Sequence, residues 1–384
     1  MSLDNKIFVH NDVIIKSACF AKNGGVSEYH AMLQMSDNGR SDSFTAQMGQ
    51  ILSAYAHLIM NYGGTVRPVF RRFFISDAAN QQEAILAVGR SVYPCATSIV
   101  QQPPLDGSKI ALWVYLCSDV GISGDEDKVV MEHNGYTHIW TAGQATTEGD
   151  SWSQTDRLLR QYVDILTGYG CKLEKDCIRT WFFVQNVDVN YQGVVEARKK
   201  LFTEHGMTPQ TRYITSTGIE GRSADHRSSV LLDAYAVKGL SEGQQKILYA
   251  PTHLNPTHEY GVTFERGVCV DYGDRSHIFI SGTASIDNKG AIVAPGDIVK
   301  QTDRMLENIE VLLAEVGADM DDVAQMIVYI RDVADYHVVE NIFRTRYRHI
   351  PKVITLAPVC RPGWLIETEC IAIKDNDTSE YKPY

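Results

Sequence analysis

The chain has no long apolar run. Nowhere does it approach the ~18 consecutive apolar residues that span a bilayer, and its opening MSLDNKIFVH lacks the apolar segment of a secretion signal. These absences predict a cytoplasmic protein with no membrane partner. Positive charge is also in deficit: 36 Lys and Arg stand against 47 Asp and Glu, a net charge of −11. That balance argues against a nucleic-acid partner, because such proteins present a broad basic face. The eight cysteines form no CxxC pair and several lie inside apolar runs, so buried free thiols are favoured over disulfides or a zinc site. The histidines, including His226, His253 and His258, show no metal-ligand spacing. There is no Gly-rich phosphate loop and no nucleophile elbow, so neither metal nor cofactor is expected.

What the chain has instead is internal repetition. QTDRMLENIEVLLAEVG (Gln301 to Gly317) is echoed by QTDRLLRQYVDILTGYG (Gln154 to Gly170) and QMGQILSAYAHLIMNYG (Gln47 to Gly63), with the same distance from Gln to closing Gly each time. Apolar residues recur at three and four positions and a Gly follows, the pattern of an amphipathic helix and its end. A strand-like run follows each helix: Phe70 to Ser76, Ile178 to Gln185 and Met326 to Arg331. A second helical stretch and two closing strands complete each copy, and Asn23-Gly24-Gly25 and Asn134-Gly135 mark opening hairpins.

The order is therefore β-β-α-β-α-β-β, three times, in an α+β protein with copies at 1–124, 125–245 and 246–384. Asp119 to Asp127 and Leu240 to Pro256 read as connections, and the polar residues after Asp375 as a disordered tail. A sheet with helices on one face leaves the other face apolar, so the three sheets are expected to pack around a common axis with helices outside. That is a monomeric pseudo-trimer with clefts between neighbouring copies, where sites can diverge.

Ser276 to Ile286 (SHIFISGTASI), the helix QTDRMLENIEVLL, Ile327 to Asp332 (IVYIRD) and Leu365 to Ala372 (LIETECIA) resemble the Rid superfamily, also called YjgF. Tyr136 to Gln144 (YTHIWTAGQ) and Val230 to Ala236 (VLLDAYA) resemble the same motifs in the second copy; the first copy matches mainly by helix spacing. The resemblance implies a metal-free hydrolase of small carboxylate-bearing imines or enamines. An Arg after the second helix would bind the carboxylate, and an acid on the last strand would position water. The matching positions are Arg212 and Asp233 in the second copy and Glu369 in the third, with Glu367 two residues earlier on the same strand face. Where Arg would be expected the third copy has Pro351-Lys352-Val353, and the first has Trp113 at the acid position.

Glu259 to Gly267 (EYGVTFERG), SGTASI and Val359 to Glu369 (VCRPGWLIETE) also resemble the C-terminal half of chorismatases. That likeness implies cleavage of the enol ether of chorismate, with Glu369 as the acid and Arg361 and Tyr260 lining the pocket. In the N-terminal part, Arg71 and Arg72 are the only similar charged cluster. Structural roles suit some of these residues as well. Arg212 fits a strand edge and Arg361 a turn, while a carboxylate at Asp233, inside an apolar strand, demands a partner or ligand. Gly143 and Gly282 fit either close backbone approach to a ligand or a sheet bend. No copy carries the whole pattern, so a third possibility is a non-catalytic metabolite-binding protein. Ribonuclease activity, also associated with the family, fits the acidic balance least.

Overall fold

In the computed structural model, which describes residues 3–384 except 23, 90 and 91, the chain forms three six-stranded sheets. The first contains β1 (Asp4–His10), β2 (Val13–Phe20), β3 (Glu28–Met35), β4 (Val66–Ile75), β5 (Ala96–Gln101) and β6 (Ile110–Ser118), with helices α1 (Phe44–Tyr62) and α2 (Ala78–Gly89). The second contains β7 (Gly121–Gly124), β8 (Lys128–His133), β9 (Tyr136–Ala145), β10 (Cys177–Val184), β11 (Thr215–Glu220) and β12 (Val230–Lys238), with α3 (Ser151–Gly168), the one-turn α4 (Leu173–Asp176) and α5 (Val187–Glu204). The third contains β13 (Gln245–Leu248), β14 (Gly267–Asp271), β15 (Arg275–Ala284), β16 (Val323–Ile330), β17 (Lys352–Leu356) and β18 (Ile366–Asp375), with α6 (Ile298–Ala314) and α7 (Tyr336–Arg346).

Strand order is the same each time: β1-β2-β3-β6-β4-β5, β7-β8-β9-β12-β10-β11 and β13-β14-β15-β18-β16-β17. Only β4–β5, β10–β11 and β16–β17 pair in parallel. Parallel neighbours need a crossover, which α2, α5 and α7 supply. Each unit opens with one strand more than the sequence predicts. β7 and β13 arise within segments read as connections, and β7 pairs with β8, so Gly121–Gly124 belongs to the second sheet rather than the first copy. Strands this short show too little alternation to be read from sequence. The Asn134-Gly135 hairpin forms as expected, both residues having positive φ (51° and 84°) and His133 facing Tyr136. Asn23 of the first hairpin lies outside the described residues, but β2 and β3 on either side of it pair along their whole length.

The repeated Gln has a structural cause. Gln47, Gln154 and Gln301 are fully buried, and each side chain ties the segment before its helix to the entry of the last strand. Gln47 accepts from Lys109 N at 2.8 Å and donates to Arg40 O; Gln154 accepts from Ser229 N at 2.8 Å and donates to Gly149 O; Gln301 accepts from Leu365 N at 2.9 Å and donates to Ala294 O. A buried backbone N–H left without such an acceptor would be costly. Ser43, Asp150 and Asp297 cap the same three helices.

Alternation decides which side chains face which layer. In β6, Leu112, Val114 and Leu116 pack beneath the helices, whereas Trp113, Tyr115 and Cys117 join a second core shared by all three sheets, with Trp140, Trp181, Tyr235, Phe279 and Tyr329. Trp140 and Tyr235 stack there at 4.3 Å. Each sheet touches both others through backbone bonds: Gln101 N to Arg222 O, Glu265 N to Ile214 O, and Leu105 N to Ile354 O. The three sheets thus close on themselves, sheets inside and helices outside.

The residues after Asp375 are not a loose tail. Gly273 N donates to Lys382 O at 2.8 Å, Tyr384 N donates to Asp274 Oδ1 at 2.7 Å, and Tyr384 is wholly buried. Its hydroxyl lies 2.7 Å from that of Tyr115, which donates to buried Glu28 beside Arg275 and His277. Polar composition conceals this because the receiving chamber is assembled from all three units. All eight cysteines are free, and among the described residues no helix is long and apolar enough to cross a membrane.

Candidate active site

The register makes Trp113, Asp233 and Glu369 equivalent: they face Arg72, Trp181 and Ile327 on the neighbouring strands. Two of the three are carboxylates within an apolar core, and both are neutralised there. Arg72 reaches Asp233 at 2.8 Å and Glu369 at 3.8 Å, and Arg179 reaches Glu369 at 2.7 Å; all four side chains are almost completely buried. Trp181 Nε1 donates to Glu369 at 2.8 Å, Thr217 also donates to Glu369, and Gly143 N donates to Asp233 Oδ1 at 2.7 Å. The Arg72 guanidinium is enclosed by the rings of Phe183 at 4.8 Å and Trp181 at 5.1 Å. Two positive and two negative groups therefore form a closed cluster across all three units. Asp233 and Glu369, expected to be catalytic, sit in that cluster and do not border the cleft described next. Gly143 serves Asp233 and lies at the seam of the first and second sheets.

Two residues before the equivalent trio come Ala111, Leu231 and Glu367, one at each seam. Of these three equivalent positions only Glu367, at the seam of the second and third sheets, is an acid. Glu367 lies on β18 and borders that cleft with Arg198, Arg266, Arg361, Thr217, Gly282 and Trp364. It is 5% exposed, and no described donor bonds its carboxylate. Burial first, and then the charge of Glu369, raise its pKa to about 8 against Arg179 and Arg266, which lower it. At neutral pH it holds a proton. About 480 Å³ of empty space lies between these residues, of which about 30 Å³ admits the centre of a water molecule.

Opposite the acid are cations. Arg198 is 1% exposed; its Nε donates to Thr263 and its Nη1 to Ser216, but its Nη2 has no partner among the described residues. An orphaned guanidinium nitrogen beside a cleft is a ready site for an anion. Arg266 is anchored on Asn255 O at 3.1 Å, and the Arg361 guanidinium lies 5.4 Å from the Trp364 ring centre. Gly282 is there for space. A Cβ at Gly282 would come within 2.1 Å of Glu367 Oε1. Gly282→Ala is accordingly expected to swing the Glu367 carboxyl out of place and lower activity at least as far as loss of the acid does, with circular dichroism showing a retained fold. Full activity in Gly282→Ala would mean that this carboxyl position is immaterial.

Of the residues expected from sequence, the structure brings together Glu367, Arg361 and Gly282. Arg212 lies elsewhere. It donates to the carbonyls of Glu174 at 2.9 Å, Lys175 at 3.1 Å and Cys177 at 3.2 Å, and to Gln245, so its guanidinium closes the C-terminal end of α4 rather than facing an acid. Tyr260, expected to line the pocket, ends a 3₁₀ turn, Thr257–Tyr260; its side chain lies outside the described residues. Among the described residues no group of three or more His, Cys, Asp or Glu could hold a metal ion.

Arg198 and Arg266 are absent from the sequence-based set. A signal for Arg198 existed: it shares a helical face with Val194, Ala197 and Leu201, all buried, so periodicity places a charge where none should be without a purpose. Arg266, inside the quoted EYGVTFERG, carries no comparable signal.

The Endoribonuclease L-PSP family model matches residues 265–374. A RutC family protein of Pyrococcus abyssi is 33% identical over 100 residues, covering 26% of this chain and 79% of the relative. The 2-iminobutanoate/2-iminopropanoate deaminase of Mus musculus is 27% identical over 99 residues, covering 25% of this chain and 73% of the enzyme. A solved chorismatase superposes with a TM-score of 0.63, covering 80% of this chain and 93% of that one at 18% identity, a likeness of fold. Three Rid-type units in tandem, with a sequence match spanning most of a RutC relative, make this chain a member of the L-PSP (Rid/YjgF, RutC) family.

Proposed function

We propose that this chain catalyses acid-initiated hydrolysis of a small, carboxylate-bearing enol ether of the chorismate class in the cleft between its second and third sheets. The observation that carries this reading is a buried, protonated Glu367 on the same cleft as Arg198, whose Nη2 has no partner among the described residues. A carboxyl group that keeps its proton at pH 7 is a general acid. In an enolpyruvyl ether, Glu367 gives its proton to the terminal carbon of the double bond, leaving an oxocarbenium ion beside its own new carboxylate. Water adds to the cationic carbon and returns a proton to Glu367. The resulting hemiketal breaks its C–O bond, releasing pyruvate and the alcohol. Arg198 and Arg266 hold a substrate carboxylate, and Arg361, beside Trp364, covers the entrance. The space is narrow, so entry requires these two side chains to move.

The relatives' names favour a second reading, a deaminase of small imines or enamines. The same acid would protonate the β-carbon of an enamine, and water would expel ammonia from the iminium ion. Pyruvate release from chorismate and ammonia release from an enamine generated in situ distinguish the two, with Arg198→Met and Arg212→Ala in parallel. Pyruvate release lost in Arg198→Met and kept in Arg212→Ala supports the enol-ether reading; ammonia release with the same mutant pattern supports the deaminase. For either reaction kcat/KM should be level below pH 8 and fall above it, as Glu367 loses its proton. Loss of activity below pH 6 instead would show a carboxylate base and overturn the acid role.

A further inference from the structure

The seam between the third and first sheets cannot run this chemistry, since Ala111 stands where Glu367 does. Yet about 410 Å³ is open to water there, against about 30 Å³ beside Glu367. Its charge is opposite to that of the whole chain: Lys16, Arg40, Arg344, Arg348 and Lys352 border it against two carboxylates, Asp106 and Glu340. The two carboxylates are already engaged. Arg40 lies 3.8 Å from Asp106, and Arg344 lies 3.5 Å from Glu340. Lys16 on β2, Arg348 after α7 and Lys352 on β17 have no carboxylate of the described residues within ion-pair distance.

Lys352 is 7% exposed. Its ammonium donates to Tyr347 O at 2.6 Å and Ile350 O at 3.3 Å, and the third of its donors is unused. Burying a cation among cations is unfavourable unless something negative joins them. Lys352 answers by a pKa depressed to about 7, through burial first and then the charge of Lys16, with Glu340 opposing. Apart from Gln34 the remaining lining is Ile7, Ile14, Met35, Ile354 and Tyr336, which suits an organic body attached to the anion.

We propose that this third cleft is a separate binding site for a small organic phosphate, a molecule carrying at least two negative charges on a compact head. Phosphate is favoured over carboxylate because the innermost groups are lysines, which act as point charges, whereas a planar carboxylate is best met by a paired guanidinium fork. Lys352 gains full charge when the anion arrives, so binding takes up a proton near pH 7.5. The groups facing Lys352 are Lys16 from the first sheet and Glu340, Arg344 and Arg348 from the third unit.

The test is isothermal titration calorimetry of the intact chain with inorganic pyrophosphate, at low salt and pH 7.5, in two buffers of different ionisation enthalpy. Pyrophosphate should bind more tightly than citrate, with proton uptake. Lys16→Met and Arg348→Met, both outside the core, should each weaken it about tenfold, while Arg361→Met, in the other cleft, leaves it unchanged. No binding at millimolar pyrophosphate, binding indifferent to Lys16→Met and Arg348→Met together, or citrate binding as well as pyrophosphate would each overturn the assignment. Because Lys352→Met could unfold the seam, the Lys16 and Arg348 variants decide the outcome, with their melting temperatures confirming an intact fold.

Discussion

Glu367→Gln is expected to lower kcat/KM by about 10² to 10⁴, the usual contribution of a positioned acid, while the protein becomes more stable at pH 8. The stability change follows from linkage. The carboxyl titrates near 4.5 in the unfolded chain and near 8 in the folded one. Below pH 4.5 both states are protonated and nothing is lost. Between 4.5 and 8 the unfolded chain ionises and the folded one does not, so stability falls steadily as pH rises. A glutamine of similar shape has no proton to lose and escapes this cost. The advantage of Glu367→Gln should therefore be absent at pH 4, grow across that window and level off above pH 8. Melting temperatures of both proteins from pH 4 to 9, with kcat/KM on the same samples, measure both effects. A variant that is inactive but also less stable at pH 8 would mean that Glu367 holds the fold rather than the reaction.

Arg72→Met should destabilise the protein by about 3–5 kcal/mol, because it leaves Asp233 charged and unpaired in the core. Asp233→Leu should do comparable damage by stranding Arg72. Removing both leaves Arg179 and Glu369, which satisfy one another at 2.7 Å. The double variant Arg72→Met/Asp233→Leu should accordingly recover most of the loss, since a buried ion pair exchanged for apolar groups of similar volume is often close to neutral. Urea unfolding of the four proteins closes a double-mutant cycle. Single changes costing under about 1 kcal/mol, the range of exposed pairs, would show that water reaches this cluster. The neighbouring cleft should keep its activity in the double variant, which separates the structural carboxylates, Asp233 and Glu369, from Glu367.

The repeated helices that open on Gln and close on Gly, the strand-like runs that follow them and the Asn134-Gly135 turn were enough to reach three copies, their main elements and the inward-facing sheets. Those features depend on neighbours a few residues away, and periodicity records them. The edge strands β7 and β13 were invisible for the same reason inverted: four residues with exposed backbone leave no periodic mark. Family motifs brought Glu367, Arg361 and Gly282 into view.

What each carboxylate does was decided only by tertiary structure. Glu367 and Glu369 are two residues apart on one strand with the same orientation, yet Glu369 meets Arg179 and Arg72 from the other two units, while no cation of the described residues lies within ion-pair distance of Glu367. What a buried acid does depends on the charges within a few ångströms, and the two arginines that pair with Glu369 come from more than a hundred positions away in the chain. Arg212 illustrates the converse, a guanidinium drawn to three carbonyls at the end of α4 instead of to a substrate. The sequence by itself determined that there are three wedges and which faces they bury. Closing them into a ring determined which seam keeps a proton, which cluster cancels its charge and which cleft is left positive, because electrostatic energies at these sites are set by distance through space.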